Sequence, residues 1–290
     1  MGTSKGYGGA GSGLVPSWVD DPSPGVAPGP APTPPPPPGG GAPQPGPGQA
    51  PPPPFRTPPR PDTSGAGSFQ GARGAFSRFA KTGSRSALGS AMSSYVRSGT
   101  GGARRAARRM GASRAAGARL LGVVRDVQRL GAAETLRQLN LPGLAGRPAA
   151  EVFLAILEFI CPPGGAVDEA IARQAMLETI GDLAEAGVGD FDAMTPDQMQ
   201  EFFLDFVARS IEGRVMADLG ARGVTLPADV ATVEAAQQQL HDFVTGCTQS
   251  ELSGRLDWVE RLGDRDVERV VNEIYEAAFE LVAAAGEAAQ

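Results

Sequence analysis

The sequence has only one histidine and two cysteines, and no apolar run in it is long enough to span a membrane. The single histidine, His241, excludes sites that bind a metal through several imidazoles. Cys161 and Cys247 lie far apart, in or beside apolar helical patterns, which indicates neither a disulfide framework nor a metal motif. The N-terminal residues also lack the apolar core of a signal peptide. We therefore expect a soluble cytoplasmic protein with no membrane contact, no metal site and no cofactor.

Motifs that position catalytic groups are also missing. The chain has no GxxxxGK[ST] phosphate loop and no GxGxxG motif between a strand and a helix, so nucleotide hydrolysis is not expected. A catalytic triad would depend on His241 without a recognisable nucleophile motif, and we interpret His241 as an ordinary partly buried or surface histidine. We expect no enzymatic activity. A weaker alternative is a cryptic enzyme that uses Asp/Glu pairs.

Proline and glycine dominate the N-terminal part of the chain. Of 27 prolines, 20 lie between Pro22 and Pro61, and such a segment buries too little apolar surface to offset the entropy lost when its backbone is ordered. It is typical of a spacer, with a ligand of SH3-type domains as the alternative. We predict five regions: a flexible Gly/Ser-rich head (1–21), a disordered proline-rich spacer (22–65), a Gly/Ser/Arg-rich linker with short helical turns (66–101), a basic helical segment (102–147) and an acidic helical domain (148–290).

Helical periodicity continues from residue 102 to the end of the sequence without sustained strand alternation. The predicted fold class is all-α, with a helical domain preceded by a long disordered Gly/Pro-rich region. In ARLLGVVRDVQRL the apolar residues follow helical spacing, and we expect Arg125 and Arg129 to point away from that stripe. The run EVFLAILEFI predicts one central buried helix, which ends at the turn after Cys161.

The acidic domain contains a complete helix-start signal. Thr195 is predicted as an N-cap, with Pro196 as the first helical residue and Gln198 as the capping-box partner. The following buried stripe consists of Met199, Phe202, Phe203, Phe206, Val207, Ile211, Val215 and Leu219. Further helices are predicted over about 168–187, 229–248 and 264–285.

Charge is divided between the two helical regions. Residues 66–147 carry 15 basic and two acidic side chains, whereas residues 148–290 carry eight basic and 27 acidic ones. The basic residues include a cluster formed by Arg104, Arg105, Arg108, Arg109, Arg114 and Arg119. Such a stripe can bind nucleic acid or an acidic protein surface. We favour the acidic part of the same chain or an acidic partner, because no aromatic residues that would stack on bases are interleaved with these arginines.

The head reads MGTSKGYGGAGSGLVPSWVDDP, and its second residue, Gly2, is small enough for Met1 to be removed. The exposed α-amine would have a pKa of about 7.7–8.0, against about 10.4 for lysine, so a useful fraction is an unprotonated nucleophile at neutral pH. The myristoylation pattern fails because Gly6 stands where Ser or Thr is required. From the residues alone, a disordered start is the default interpretation.

Several stretches of the chain resemble the QatB family of the Qat anti-phage defence cassette. They are the head, the blocks SRSALGSAMSSYV and GGARRAARRMGASRAAGARLLG, and the run LPGLAGRPAAEVFLAILEFICPPGGAVDEAIARQAMLE. The proline spacer matches only in character. The resemblance implies two partners, a QatA-like P-loop ATPase and a QatC-like enzyme similar to the QueC enzymes that make 7-cyano-7-deazaguanine, with a QatD-like TatD nuclease as a further candidate.

The resemblance also implies a role for the head. QueC-type chemistry activates a 7-deazaguanine carboxylate as an adenylate for attack by ammonia, and related enzymes of defence systems are understood to use an N-terminal glycine amine instead. Gly2 is the matching position. The hypothesis is a non-catalytic scaffold that is modified at Gly2, with Thr3, Ser4, Tyr7 and Trp18 recognised by the enzyme.

The alternative hypothesis is a nucleic-acid adaptor. In it, Arg104, Arg105, Arg108 and Arg109 bind phage DNA or RNA and deliver it to the TatD-like nuclease. This hypothesis predicts salt-sensitive binding and no dependence on Gly2.

Overall fold

The computed structural model describes residues 68–220, 229–252, 254, 256 and 258–290, all within one compact unit, Pro58–Gln290. Across these residues the secondary structure is helical and includes no strand, which confirms the predicted all-α class. None of the helices in these ranges is long and apolar enough to cross a bilayer. The predicted head and spacer lie outside the described residues, including Gly2, Thr3, Ser4, Tyr7 and Trp18.

The described chain forms a bundle around two long helices, α9 and α11. In chain order the helices are α1 (Gln70–Thr82), α2 (Arg85–Ser94), α3 (Ala103–Arg108), α4 (Gly111–Leu130), α5 (Ala132–Gln138), α6 (Ala149–Ala155), α7 (Leu157–Ile160), α8 (Val167–Glu185), α9 (Pro196–Gly220), α10 (Val230–Leu252) and α11 (Asp264–Ala288). A π turn, Tyr95–Gly99, follows α2. Helix α9 contacts α4, α8 and α10, while α11 contacts α2, α3, α4 and α10.

Helix α9 begins as the sequence predicts. The Thr195 hydroxyl oxygen accepts a bond from the Gln198 amide at 3.2 Å, and the Gln198 side-chain oxygen accepts one from the Thr195 amide at 2.9 Å. This reciprocal pair satisfies two backbone donors at the helix start. All the residues of the predicted apolar stripe are buried: Met199, Phe202, Phe203, Phe206, Val207, Ile211, Val215 and Leu219.

The interval 66–101 contains longer helices than the short turns expected of a linker. Helices α1 and α2 have 13 and 10 residues. They bury Phe76, Phe79 and Met92 in the same core as the later helices. Gly and Ser weaken the local helical signal in this interval, but tertiary packing supplies most of the stability of a helix in a folded protein.

The segment 151–160 does not form the single buried helix that its apolar composition predicts. It is divided at Ile156 into α6 and α7, and Leu154 and Phe159 are 54% and 49% exposed. The two halves have different neighbours, because α6 packs on α8 and on the turn at Phe191 whereas α7 packs on α4. The break allows each half to turn its apolar face towards its own neighbour.

Arg125 does not point away from the core as predicted, since it is only 7% exposed. Its guanidinium donates to Asp126 at 2.9 Å and to Asp264 at 2.7 Å. These two carboxylates offset the cost of removing the charge from water. Leu130, predicted as part of the apolar stripe of the same helix, is instead exposed.

Candidate functional site: the arginine-rich helices

The four candidate arginines of the basic segment lie on α3 and at its C-terminal cap. Arg104, Arg105 and Arg108 are exposed, while Arg109 is partly buried. Arg104 donates to Glu276 of α11 at 3.1 Å. Within the described residues, no ion pair involves Arg105 or Arg108. The structure therefore divides the four into two that pair with acidic groups of the same chain and two that face outwards.

Arg109 takes part in a partly buried ionic cluster centred on Asp218 of α9. The Asp218 carboxylate accepts bonds from Arg109 at 3.2 Å, from Arg214 at 3.2 Å and from the Tyr95 hydroxyl at 3.0 Å. Burial, reinforced by the negative charge of Asp218, raises the pKa of Tyr95, so its hydroxyl stays protonated and donates. The Asp218 carbonyl oxygen also accepts from Arg73 at 3.0 Å. Arg109 thus links the C-terminal end of α3 to α9 through its bond to Asp218.

A second group of ion pairs lies on the exposed face of α11. Arg97 pairs with Glu280 at 2.9 Å and with Glu287 at 3.0 Å, beside the pair of Arg104 with Glu276. All of these side chains are well exposed to water, which screens them. The arginines therefore meet the acidic domain through the partly buried Asp218 cluster, through the pair of the buried Arg125 with Asp264, and through a solvent-facing row on α11.

Helix α4 forms one wall of an open groove against α11. Small residues recur along its exposed side, namely Gly111, Ala115, Ala118 and Gly122, and the groove encloses about 460 Å³. Arg114, Arg119 and Arg125 flank this small-residue floor. The α11 side contributes Asp264, Val267, Glu268 and Asn272. We call this feature the α4 groove.

Within the part of the chain that the structure describes, two of the three arginines in the α4 groove bond to neutral acceptors and to no carboxylate. Arg114 donates to the side-chain oxygen of Asn272 at 2.6 Å, and Arg119 donates to the carbonyl oxygen of Ile160 at 3.1 Å. Among the described residues, the Arg114 Nε has no hydrogen-bond acceptor. By contrast, Arg125 has two carboxylates. The sequence analysis includes Arg114 and Arg119 in the basic cluster but does not predict the groove beside them. The local sequence signal for the groove is the recurrence of Gly and Ala every three or four residues along α4.

His241 and the cysteines occupy settings that do not favour nucleophilic chemistry. The His241 Nδ1 lies 3.2 Å from Glu212, a hydrogen bond that raises the pKa of the imidazole. Burial raises the pKa of the Cys161 thiol to about 11, and burial also raises that of Cys247. Within the described ranges, no group of three or more His, Cys, Asp or Glu side chains could hold a metal ion.

Taken together, these features define an all-helical protein body with an arginine-rich N-terminal side that binds its own acidic helices and leaves open a groove lined by charges of both signs. The family described as "Qat anti-phage system associated protein QatB" matches residues 101–282, more than half of the chain. The chain therefore belongs to the QatB family and has a role in the Qat anti-phage system. No curated protein and no solved structure matches this chain. Helices α1 and α2 precede the matched residues.

Proposed function

We propose that this QatB protein is a non-catalytic scaffold of the Qat system. In this proposal the helical body binds other Qat proteins, and the N-terminal head is the substrate of a QatC-like enzyme. Membership of the family supports the assignment to the system. The observation that carries the finer proposal is the Met-Gly start, because removal of Met1 would leave the unhindered amine of Gly2.

The proposed modification is the formation of an amide. A QatC-like enzyme uses ATP to convert a 7-deazaguanine carboxylate into an acyl-adenylate, with release of pyrophosphate. The unprotonated amine of Gly2 attacks the acyl carbon, the C–N bond forms, AMP leaves and the amine loses a proton. A terminal amine suits this step better than lysine because its pKa of about 7.7–8.0 leaves more of it unprotonated at neutral pH.

Recognition of the head is assigned to nearby side chains. Thr3 and Ser4 would offer hydroxyl groups, and Tyr7 and Trp18 would act as aromatic anchors, the residue types most often dominant in binding energy. The spacer that follows would let the head reach a partner's pocket while the body stays bound elsewhere.

The internal pairing of charged groups supports a scaffold role for the body. Asp218 is engaged by two arginines and a tyrosine, and His241 is bound to Glu212. The buried hydroxyl of Tyr275 lies 2.7 Å from Ser210. Networks in which each polar group has its partner make a fold rigid, as a docking body requires.

Intact-mass analysis of the protein co-expressed with the Qat proteins tests the proposal. We expect an added mass equal to the deazaguanine acyl group, located at Gly2 by fragmentation. A Gly2→Gln variant, which retains Met1, should lose this mass, whereas the matched variant Gly9→Gln in the same head should keep it. An unmodified N-terminus in functional complexes, or full defence by Gly2→Gln, contradicts the proposal.

A nucleic-acid adaptor is the second candidate function, and the exposed positions of Arg105 and Arg108 favour it. The double variant Arg105→Gln/Arg108→Gln leaves the Asp218 cluster intact, so it separates binding from folding. If the adaptor function holds, the affinity for single-stranded DNA falls steeply between about 50 and 200 mM salt, and the double variant reduces that slope. Defence should then be independent of Gly2. The exposed Arg129 offers a matched control, Arg129→Gln.

A further inference from the structure

The floor of the α4 groove is open enough to admit another backbone. A Cβ atom added at Gly111 or at Gly122 would meet no atom within 4 Å. Ala115 is exposed between them. The distance between two packed helices depends on the side chains at the contact, so a floor of Gly and Ala permits a close approach.

The cations at the groove are only partly satisfied by their own chain. Arg114 and Arg119 are bonded to an amide oxygen and a carbonyl oxygen, not to carboxylates. A carboxylate forms shorter and stronger hydrogen bonds with a guanidinium than neutral acceptors do. Arg119 is exposed and lies where the groove meets a side cavity of about 140 Å³, whose lining is mainly apolar, with Ile160 and Pro162, and also includes Glu169. An incoming acidic side chain can reach it.

The opposite wall decides which kind of partner fits. Asp264 and Glu268 line the groove from α11, and Asp264 is already paired with Arg125. Among the described residues Glu268 has no ion-pair partner, so it carries the free negative charge that faces Arg114 and Arg119 across the groove. A nucleic-acid backbone presents negative charge only and would be repelled by that wall. A protein segment can present an acidic residue to one wall and a basic residue to the other, which is the usual form of electrostatic complementarity at protein interfaces.

We propose that the α4 groove docks a helical segment of another Qat protein. The segment would place an Asp or Glu against Arg114 and Arg119, a Lys or Arg against Glu268, and an apolar side chain in the cavity beside Pro162. This inference rests on the proposed scaffold function and names the surface that the scaffold uses.

Binding of each purified Qat partner to the full chain tests the inference. The variant Ala115→Trp fills the floor, and Arg119→Glu reverses the charge that would meet the acidic residue. We expect each to weaken the affinity for one Qat protein by at least about tenfold. The matched controls Ala184→Trp, on the exposed side of α8, and Arg129→Glu, near the end of α4, should stay within about twofold of the unaltered protein. Circular dichroism and melting temperature confirm that all four variants are folded.

Three results overturn the inference. The first is unchanged affinity of Ala115→Trp for every Qat protein. The second is a loss of DNA binding in the groove variants without a loss of protein binding. The third is conversion of a dimer of this chain to a monomer, which would make a second copy the occupant. The mass of the N-terminus is measured in the same samples: an unmodified Gly2 with groove-dependent binding refutes the modification alone, whereas a modified Gly2 with groove-independent binding refutes the docking surface alone.

Discussion

Helix α11 meets α2 and α4 in opposite ways, although glycine is present at both places. Against α2, a Cβ added at Gly89 would lie 2.7 Å from the carbonyl oxygen of Gly286, and one added at Gly286 would lie 2.6 Å from that of Gly89. Against α4, Gly111 and Gly122 face open space. The first pair lets two backbones touch, while the second leaves room. Glycine content alone therefore does not distinguish a closed contact from an open groove.

The arginines of the two regions also differ in whether they bond to a carboxylate or to neutral oxygens. Near α2, Tyr95 and Arg109 share the shielded carboxylate of Asp218, which is 13% exposed as a side chain. In the groove, Arg114 and Arg119 bind neutral oxygens. We interpret the closed side as the part that holds the body together and the groove as a surface that is left for a partner.

Removal of the central carboxylate should have the largest effect. Asp218→Ala leaves Arg109 and the Tyr95 hydroxyl without their carboxylate, while Arg214 keeps its pair with Asp168. Because Arg109 is 36% exposed, the loss is bounded above by the about 3–5 kcal/mol that removal of one partner from a fully buried ion pair costs. The free energy of unfolding from urea titration measures this. Glu276→Ala, which removes the exposed partner of Arg104, is the control and should cost at most about 1 kcal/mol. Equal losses for the two variants would remove the distinction between the shielded and the solvent-facing pairs.

Adding one methyl group at each glycine site should give effects of opposite sign. Gly89→Ala places a Cβ against the backbone of α11, and overpacking of this kind costs about 1–3 kcal/mol. Gly122→Ala, also inside a helix but facing open space, should stabilise the protein by about 0.4–1 kcal/mol because it restricts the unfolded chain. Thermal and urea unfolding check the pair. Stabilisation by Gly89→Ala would mean that α2 and α11 are not in backbone contact.

A change of pH near neutrality should alter a third contact, the hydrogen bond between His241 and Glu212. The hydrogen bond to Glu212 raises the folded-state pKa of His241, with Asp205 adding to it and burial and Arg209 opposing it. The stabilisation is therefore fully present below the ordinary histidine pKa of about 6.5 and is lost as the pH rises through the higher folded value. The difference in stability between the wild type and His241→Gln should shrink over that window. A difference that grows with pH would contradict the sign.

The smallest effect is expected in the groove. Ala115→Gln changes an exposed residue on the floor, and surface substitutions usually stay within about 0.5 kcal/mol. Chemical denaturation of the isolated protein measures this. A loss comparable to that of Gly89→Ala would show that the groove is part of the structural core and not a free surface.

The features that the sequence predicted correctly are those whose cause is local. The capping box of Thr195 and Gln198 and the apolar stripe of α9 depend on neighbours within a few turns. The helix predicted over about 264–285 is present as α11, and its apolar residues at helical spacing are buried: Val267, Val270, Val271, Ile274, Tyr275 and Ala278. Apolar residues that recur every 3.6 positions predict directly which face of a helix is buried.

The features that it did not predict depend on partners far along the chain. Arg125 is buried because Asp264, 139 positions later, supplies a carboxylate. The break at Ile156 reflects the separate neighbours of α6 and α7. The groove exists because Gly111 and Gly122 of α4 face open space, although Gly117 of the same helix lies against Val271 and Tyr275 of α11. The spacing of residues within one helix cannot predict contacts between helices that lie far apart in the sequence.

The contact between Gly89 and Gly286 also has a consequence for how the protein is made. The side chains of Ser93 and Gln290, 197 positions apart, are hydrogen-bonded beside it at 2.8 Å. During translation, α2 leaves the ribosome together with α1, which packs on it, but long before α11 is synthesised, so the side of α2 that α11 covers has no partner until then. Pairings this distant are slow to form and leave intermediates prone to aggregation. We expect the nascent body to remain a client of chaperones until α11 has emerged.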